Sequence, residues 1–192
     1  MASSACATGL LDVAAKKAAL PATRALVASQ TGRVHAALGN EQGAEQHLGA
    51  ADELVAGDRS DVPEWVAYFD AAEHAGHRAV SARDLTGIGG QNRRASDHFT
   101  DALALRRPGF DRVKVMDRIG LAAALFTEGE PEQAAAAAQQ ALGEAARLDS
   151  TLVASRLNTL LDAARPYRTA AVDEVRTRAA DLAAARPTTV AA

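Results

Sequence analysis

Cysteine is all but missing from this chain. Cys6 is the only one, which excludes an internal disulfide and any zinc site built on thiolates. Aromatic side chains make up only 4% of the residues, with a single tryptophan among them. Sandwich and barrel cores draw on aromatic and β-branched side chains. Burial here has to come from Ala, Leu and Val, which suits closely packed helices. Long apolar runs are missing too: none approaches the ~20 residues that span a bilayer, so no membrane contact is expected. The N-terminus, MASSACATGLLDVAAKK, has no basic region ahead of an apolar one. A secretory signal is therefore not expected, and a cytoplasmic location is. Nor does one sign of charge dominate. A formal net charge of -3 and a pI near 5.9 supply no general attraction to nucleic acid or anionic lipid.

What the chain does have is a 48% share of hydrophobic residues in a length of 192, enough for one compact domain or a short solenoid. Glycine and proline divide it into helical segments. Helices are predicted from Ser4 to Leu20, from Pro21 to Leu38, and from Glu41 to Val55 behind an Asn40 cap. Asp61 and Glu64 have capping-box spacing and are expected to open a short helix over 62–69, which holds Trp65, Tyr68 and Phe69. Asp70 with Glu73 offers a second capping box, for a helix running to Ile88 and broken by Gly89-Gly90. Further helices follow over Gln91–Leu105, Phe110–Thr127, Pro131–Leu148, from a Ser150 cap to Ala164, and over Thr169–Ala185. Residues 188–192 are expected to fray. No alternating strand pattern is longer than a few residues, so the chain reads as all-α.

Three of the turns repeat. Gly39, Gly90 and Gly129 each precede an alanine by five residues: Ala44, Ala95 and Ala134. Four residues after these alanines come Leu48, Phe99 and Ala138, and three further on come Ala51, Ala102 and Ala141. Twelve residues upstream of each alanine sit Gly32, Arg83 and Ala122. This small–turn–small–large–small register resembles the tetratricopeptide repeat (TPR). The departures are Ala138 at the large position, and Ala28, His35, Thr86 and Leu125 near positions where the family keeps Trp and Tyr. The resemblance implies a TPR-like α-solenoid of antiparallel helix pairs, about nine or ten helices in all. It would form a single domain over 1–187, with repeats near 25–56, 76–107 and 115–148 and a degenerate C-terminal cap over 150–186. The spacing between the first two repeats leaves room for the inserted Trp65 element.

A narrower resemblance rests on Pro63-Glu64-Trp65-Val66-Ala67-Tyr68-Phe69-Asp70-Ala71-Ala72-Glu73-His74-Ala75-Gly76-His77, with Asp84-Leu85 and Ala102-Leu103 after it. This run is similar to the TPR region of actinobacterial helix-turn-helix transcriptional regulators. Only some 20 residues precede Pro21, too few for the DNA-binding domain of that family, so direct contact with nucleic acid is not expected. The resemblance implies a non-catalytic scaffold that binds a protein or peptide, in a bacterial regulatory pathway. Two alternatives stand beside it: the ligand-sensing part of a regulator with a separate DNA-binding partner, and a structural homodimer. On the family pattern, Ser29, Arg33, His77, Val80, Asp84, Met116, Ile119 and Ala123 would point into a peptide groove.

Other clusters carry less chemistry. His74 and His77 lie three apart beside Asp70 and Glu73, but no second pair supplies the remaining ligands, so no metal or other cofactor is expected. His47 and His98 occupy equivalent repeat positions, which implies a shared packing role. Gly87-Ile88-Gly89-Gly90 follows a helix rather than a strand and so reads as a helix stop, not a phosphate loop. Arg93, Arg94, Arg106, Arg107, Arg112, Lys114 and Arg118 are interleaved with Asp97, Asp101, Asp111 and Asp117 and read as a solvated face. No Ser/His/Asp or Cys/His motif surrounds any histidine, so no enzyme is expected. Trp65, Tyr68 and Phe69 are expected to anchor the inserted helix in the core, where loss of the indole ring would cost ~3–5 kcal/mol; the alternative reading of the cluster is a binding hot spot.

Overall fold

The computed structural model describes residues 2–58, 60–87, 94–148 and 151–185. Ile88, Gly89, Gly90, Gln91, Arg93, the Ser150 cap and the 188–192 tail lie outside them. Among the described residues the chain forms nine α-helices and no strand. They are α1 (Ala2–Lys17), α2 (Pro21–Ala37), α3 (Glu41–Ala56), α4 (Ala71–Thr86), α5 (Ala95–Leu105), α6 (Asp111–Thr127), α7 (Pro131–Ala145), α8 (Thr151–Ala164) and α9 (Ala170–Ala184), with a 3-10 turn at Glu64–Val66 between α3 and α4. No helix among the described residues is long and apolar enough to cross a membrane. The helices group into two compact units, Met1–Leu105 and Arg106–Ala192. The division falls at the Arg106-Arg107-Pro108-Gly109 segment, in which Gly109 takes a φ of +90°.

In the first unit, α2 and α3 form a tight hairpin. Gly39, with φ +75°, ends α2 in the left-handed conformation that favours glycine. The Asn40 N–H reaches back to the His35 carbonyl (2.9 Å) and the Gly39 N–H to that of Ala36 (3.0 Å), the paired bonds of a Schellman stop. Asn40 then caps α3 by accepting from the Gly43 N–H at 2.9 Å. The two helices are antiparallel, since Ala36 clusters with Ala44 and Leu48 while Ala22 and Ala25 cluster with Val55. They approach closely at Gly32, where a Cβ would fall 2.6 Å from Leu48 Cγ and 3.1 Å from the Ala44 carbonyl oxygen. The same stop recurs in the second unit between α6 and α7. Gly129 has φ +85°, the Glu130 N–H bonds the Leu125 carbonyl at 2.9 Å, and the Gly129 N–H bonds that of Phe126 at 3.2 Å.

Most of the repeated helix positions are interior; Arg83 is only partly buried. Ala44, Leu48, Ala51, Ala95, Phe99, Ala102, Ala134, Ala138 and Ala141 are buried, as are Gly32 and Ala122 upstream. Small side chains at the helix contacts let the backbones approach, and the larger Leu48 and Phe99 fill the space between.

The inserted element departs from expectation. Asp61 makes no cap: Pro63 occupies the cap position of the 3-10 turn, with no side-chain bond. Three residues per turn put positions i and i+3 on one side, so Val66 and Phe69 turn inward and are fully buried while Trp65 and Tyr68 turn outward, 62% and 51% exposed. The aromatic anchor is therefore Phe69, packed with Ala22, Ala25, Val55 and Val66. Trp65 is not a core residue, and the large cost expected for losing its ring does not follow.

The second unit holds a core of Val115, Ile119, Leu125, Phe126, Leu142, Val153, Leu157, Leu160, Val172 and Val175 with interleaved alanines. Helix α6 packs against α7 and α8, and α9 packs against α7 and α8. Thr169 caps α9 through the Val172 N–H at 3.4 Å. The Tyr167 hydroxyl donates to the Phe126 carbonyl at 2.5 Å, tying the α8–α9 turn to the end of α6. Arg106 was expected on a solvated face. It is instead buried, its Nε donating to Asp117 at 2.8 Å, because a carboxylate on α6, the helix that follows it, offsets the cost of removing the charge from water.

Candidate functional site

Asp70 starts α4 by accepting from the Glu73 N–H at 3.1 Å, and this fixes which residues fall on which face of the helix. His74, His77 and Ser81, at helical spacing, face α2. Ala71, Ala75 and Arg78 share a neighbouring face, and His74 lies on the border of the two. Helix α2 runs parallel to α4. Ala22 and Ala25 lie by Phe69, Ser29 by His74 and His77, and Ala36 by Leu85, so both helices advance together.

A buried hydrogen-bond chain crosses this interface. Ser29 Oγ lies 2.9 Å from His74 Nδ1 and 2.8 Å from His77 Nδ1. His74 Nε2 lies 2.8 Å from Asp52 Oδ1 on α3. The proton positions follow from donor and acceptor capacity. A carboxylate only accepts, so His74 Nε2 carries a proton and the Nδ1 of neutral His74 accepts from the Ser29 hydroxyl. That hydroxyl has one proton, so His77 Nδ1–H must donate to Ser29 Oγ. Beyond Asp52, Arg78 donates through Nε to both carboxylate oxygens at 3.1 Å and through Nη1 to Glu45 at 3.4 Å. Phe69 closes the apolar side of the chain, its ring centroid 5.5 Å from that of His77 and 6.3 Å from that of His74.

The electrostatics follow from this geometry. Burial pushes the His74 imidazole below its ordinary value and outweighs the opposing hydrogen bond and charge of Asp52. Burial by itself would raise the Asp52 carboxyl, but the hydrogen bonds and charge of Arg78, helped by His74, bring it below the usual range. Arg78 is likewise held above its ordinary value by Asp52 and Glu45 in spite of burial.

Ser29, His74 and Asp52 thus form a hydrogen-bonded Ser–His–Asp sequence that no local motif announces, because its members come from three helices. Ser29 is fully buried, so its hydroxyl offers no accessible nucleophile and the chain joins helices instead. One turn further on, Arg33 and Ser81 occupy the next rung of the same interface. Arg33 Nε and Ser81 Oγ are buried without a hydrogen-bond partner among the described residues. Burial lowers the Arg33 guanidinium, Asp84 and Glu73 oppose that shift, and Arg83 adds to it.

The residues expected in a groove are distributed otherwise. Ser29 and His77 lie in the contact between α2 and α4, at 0% and 7% exposure, and so are not open to a ligand. Arg33 and Asp84 are half-buried near the same interface, and Asp84 pairs with Arg83 at 2.7 Å. Ile119 is a core residue of the second unit, Ala123 is buried, and Met116 packs partly buried against that core. The helix phase is the reason: residues one turn apart on the contacting stripe meet the neighbouring helix before they meet solvent. His47 and His98 do not share a role either. The His47 ring stacks on His35 at 5.3 Å, whereas His98 lines a cleft.

That cleft has a volume of about 750 Å³. Asp52, Val55 and Ala56 of α3 line one wall and His98, Asp101, Ala104 and Leu105 of α5 another. Ala71, His74, Ala75 and Arg78 of α4, which packs against both α3 and α5, form the base. Among the described residues no group of His, Cys, Asp and Glu is arranged to hold a metal ion. No protein family, curated protein or solved structure matches the chain.

Proposed function

We propose that the chain is a non-catalytic, TPR-like helical-repeat scaffold that binds a protein or peptide. The observation that carries this reading is the cleft over α3, α4 and α5, a concave surface of small and aliphatic side chains with a few polar groups, built on three helices rather than on loops. Supporting it are the two matching Schellman hairpins, the burial of the nine described positions from Ala44 to Ala51, Ala95 to Ala102 and Ala134 to Ala141 that carry the small–large–small register, and the parallel run of α2 and α4 expected when successive hairpins stack. A polar chain joins the cleft base to α2 and α3, so the surface is held in shape before a ligand arrives. Preorganisation of this kind favours recognition, because little ordering is left to be done on binding.

The test is selection from a random peptide display library on the full chain. Ala75 lies on the cleft base, and Ala75→Arg fills the space without removing a core side chain. The reading predicts peptides that bind wild type saturably and lose at least about tenfold in affinity on an Ala75→Arg variant of unchanged melting temperature. Failure to recover saturable binders, or binders indifferent to the substitution, contradicts it.

A further inference from the structure

We propose that the buried chain Asp52–His74–Ser29–His77 is a proton relay, in which uptake of one proton reverses both hydrogen bonds of Ser29 and changes the tautomer of His77. A proton taken up beside Glu73 is thereby delivered as charge to His74, at the base of the cleft. The inference goes beyond the peptide-binding reading to a pH-sensitive device in the fold, and it does not depend on what the cleft binds.

The chain runs between two carboxylates. His74 Nε2 lies 2.8 Å from Asp52 Oδ1, and His77 Nε2 lies 3.7 Å from Glu73 Oε1, one turn back on α4. The first is a hydrogen bond and the second is longer than one. With both rings neutral, every donor points toward Asp52. His77 Nδ1–H donates to Ser29, the Ser29 hydroxyl to His74 Nδ1, and His74 Nε2–H to the carboxylate. The two imidazoles therefore hold opposite tautomers, and His77 Nε2 has no proton to give Glu73.

One added proton reverses this order. It binds His77 Nε2, on the side of the partly exposed Glu73. His77 Nδ1 gives its proton to Ser29 Oγ, and Ser29 gives its own to His74 Nδ1. His77 ends neutral with its proton on Nε2, and His74 ends as the imidazolium. Each bond of the chain survives with donor and acceptor exchanged, so the remaining cost is that of a buried cation, in keeping with the downward push of burial on His74. The charge settles on His74 because Asp52 is the nearer carboxylate. Asp52 and the Leu48 carbonyl of α3 favour it there, and Arg78 opposes it while reaching on to Glu45. From the other elements, α2 supplies only the Ser29 hydroxyl, with Arg33 acting on Glu73 one turn along. The 3-10 segment supplies the uncharged Phe69 ring, and α5 sets His98 and Asp101 around the same cleft. A second proton is resisted, since two imidazolium rings would both donate to Ser29 Oγ and leave the hydroxyl proton without an acceptor in the chain. The two rings thus titrate as one unit.

The experiment records long-range proton–nitrogen correlation spectra of the full chain with nitrogen-15 in its histidine rings, from pH 7 downward to the onset of unfolding. At pH 7 the expected spectra show His74 protonated at Nε2 alone and His77 at Nδ1 alone. On acidification both His74 nitrogens become protonated while His77 exchanges Nδ1–H for Nε2–H, the two changes sharing one midpoint. Ser29→Ala is expected to uncouple them, so that the rings titrate separately. Glu73→Gln removes a partly exposed charge and is expected to move the shared midpoint to lower pH with the pH 7 tautomers unchanged. The wild-type spectra decide the matter even if a variant fails to fold. Equal tautomers at pH 7 would overturn the relay, as would a His77 that keeps Nδ1–H while His74 titrates. So would an imidazolium on His77 beside a neutral His74, or rings that keep their pH 7 protonation until the protein unfolds.

Discussion

In the first unit the interface of α2 with α4 buries Ser29, His74, His77 and Ser81; in the second, α6 meets α8 through Val115, Ile119, Phe126, Val153, Leu157 and Leu160. The same task, packing one helix of a pair against a helix of the next, is done by a directed hydrogen-bond chain in one place and by apolar contact in the other. All five histidines of the sequence lie in the first unit, at or before residue 98. A polar interface fixes one register, because a slip leaves buried donors and acceptors unpaired. It also ties the packing to protonation. An aliphatic interface gains stability from area alone and tolerates changes of register and pH more readily. The candidate binding cleft sits on the polar side of this contrast, with His74 belonging both to its base and to the buried chain.

The comparison can be broken first at its aromatic anchors. Phe69→Ala and Phe126→Ala each remove a fully buried ring, and each is expected to lower unfolding free energy by ~3–5 kcal/mol in denaturant titrations. Next comes the charged pair of the second unit. Arg106→Ala leaves Asp117 buried with its charge and should cost about 3 kcal/mol or more, whereas replacing both residues by leucine should recover most of the loss.

Exchanging the two kinds of interface sharpens the contrast. Ser29→Ala takes away the hydroxyl that both imidazoles share and is expected to cost ~1–3 kcal/mol. The converse change, Ala122→Ser, places a hydroxyl at a fully buried position of the aliphatic unit and is expected to cost a similar ~1–3 kcal/mol unless the hydroxyl finds a carbonyl.

Acidification separates the units without any substitution. His74 and His47 are both lowered from an ordinary value of 6.5, each chiefly by burial. A depressed folded pKa means that the unfolded chain takes up protons first as pH falls. The stability that these groups contribute is therefore complete above about 6.5 and declines as pH drops through the folded values. The second unit contains no histidine to titrate in that range. Thermal stability followed from pH 7 to pH 5 is expected to fall, and that of Ser29→Ala to fall less steeply than wild type, since its His74 has already lost the hydroxyl donor to Nδ1. The smallest effect is at Trp65, exposed on its 3-10 turn, where Trp65→Ala should change stability by about 0.5 kcal/mol or less.

Much of the local architecture was legible in the sequence, and for local reasons. Pro21, Asn40, Asp70, Pro131 and Thr169 mark helix starts that lie within a residue of those observed, because caps and proline act on neighbouring backbone. Gly39 and Gly129 were legible as stops for the same reason. The buried small residues at Ala44, Ala51, Ala134 and Ala141 followed from periodicity. What escaped depends on partners distant in sequence or on an unfamiliar period. Trp65 was misplaced because a 3-10 turn puts i+3 on one side, where an α-helix would have carried the whole cluster inward. Arg106 looked solvated because counting charges along the chain does not show that Asp117 returns to meet it. The Ser29–His74–Asp52 sequence brings together positions 45 and 22 residues apart, and no spacing rule reaches across three helices. The cleft was missed likewise, since it exists only once α3, α4 and α5 are assembled.

The most direct test of the polar-versus-aliphatic contrast is site-resolved amide hydrogen exchange at pH 7 and near pH 5, expressed as protection factors so that intrinsic exchange rates cancel. Protection in α2 and α4 is predicted to fall as His74 takes up its proton, while α6 and α8 keep theirs. Equal loss in both pairs of helices, or retention in both, would contradict the account.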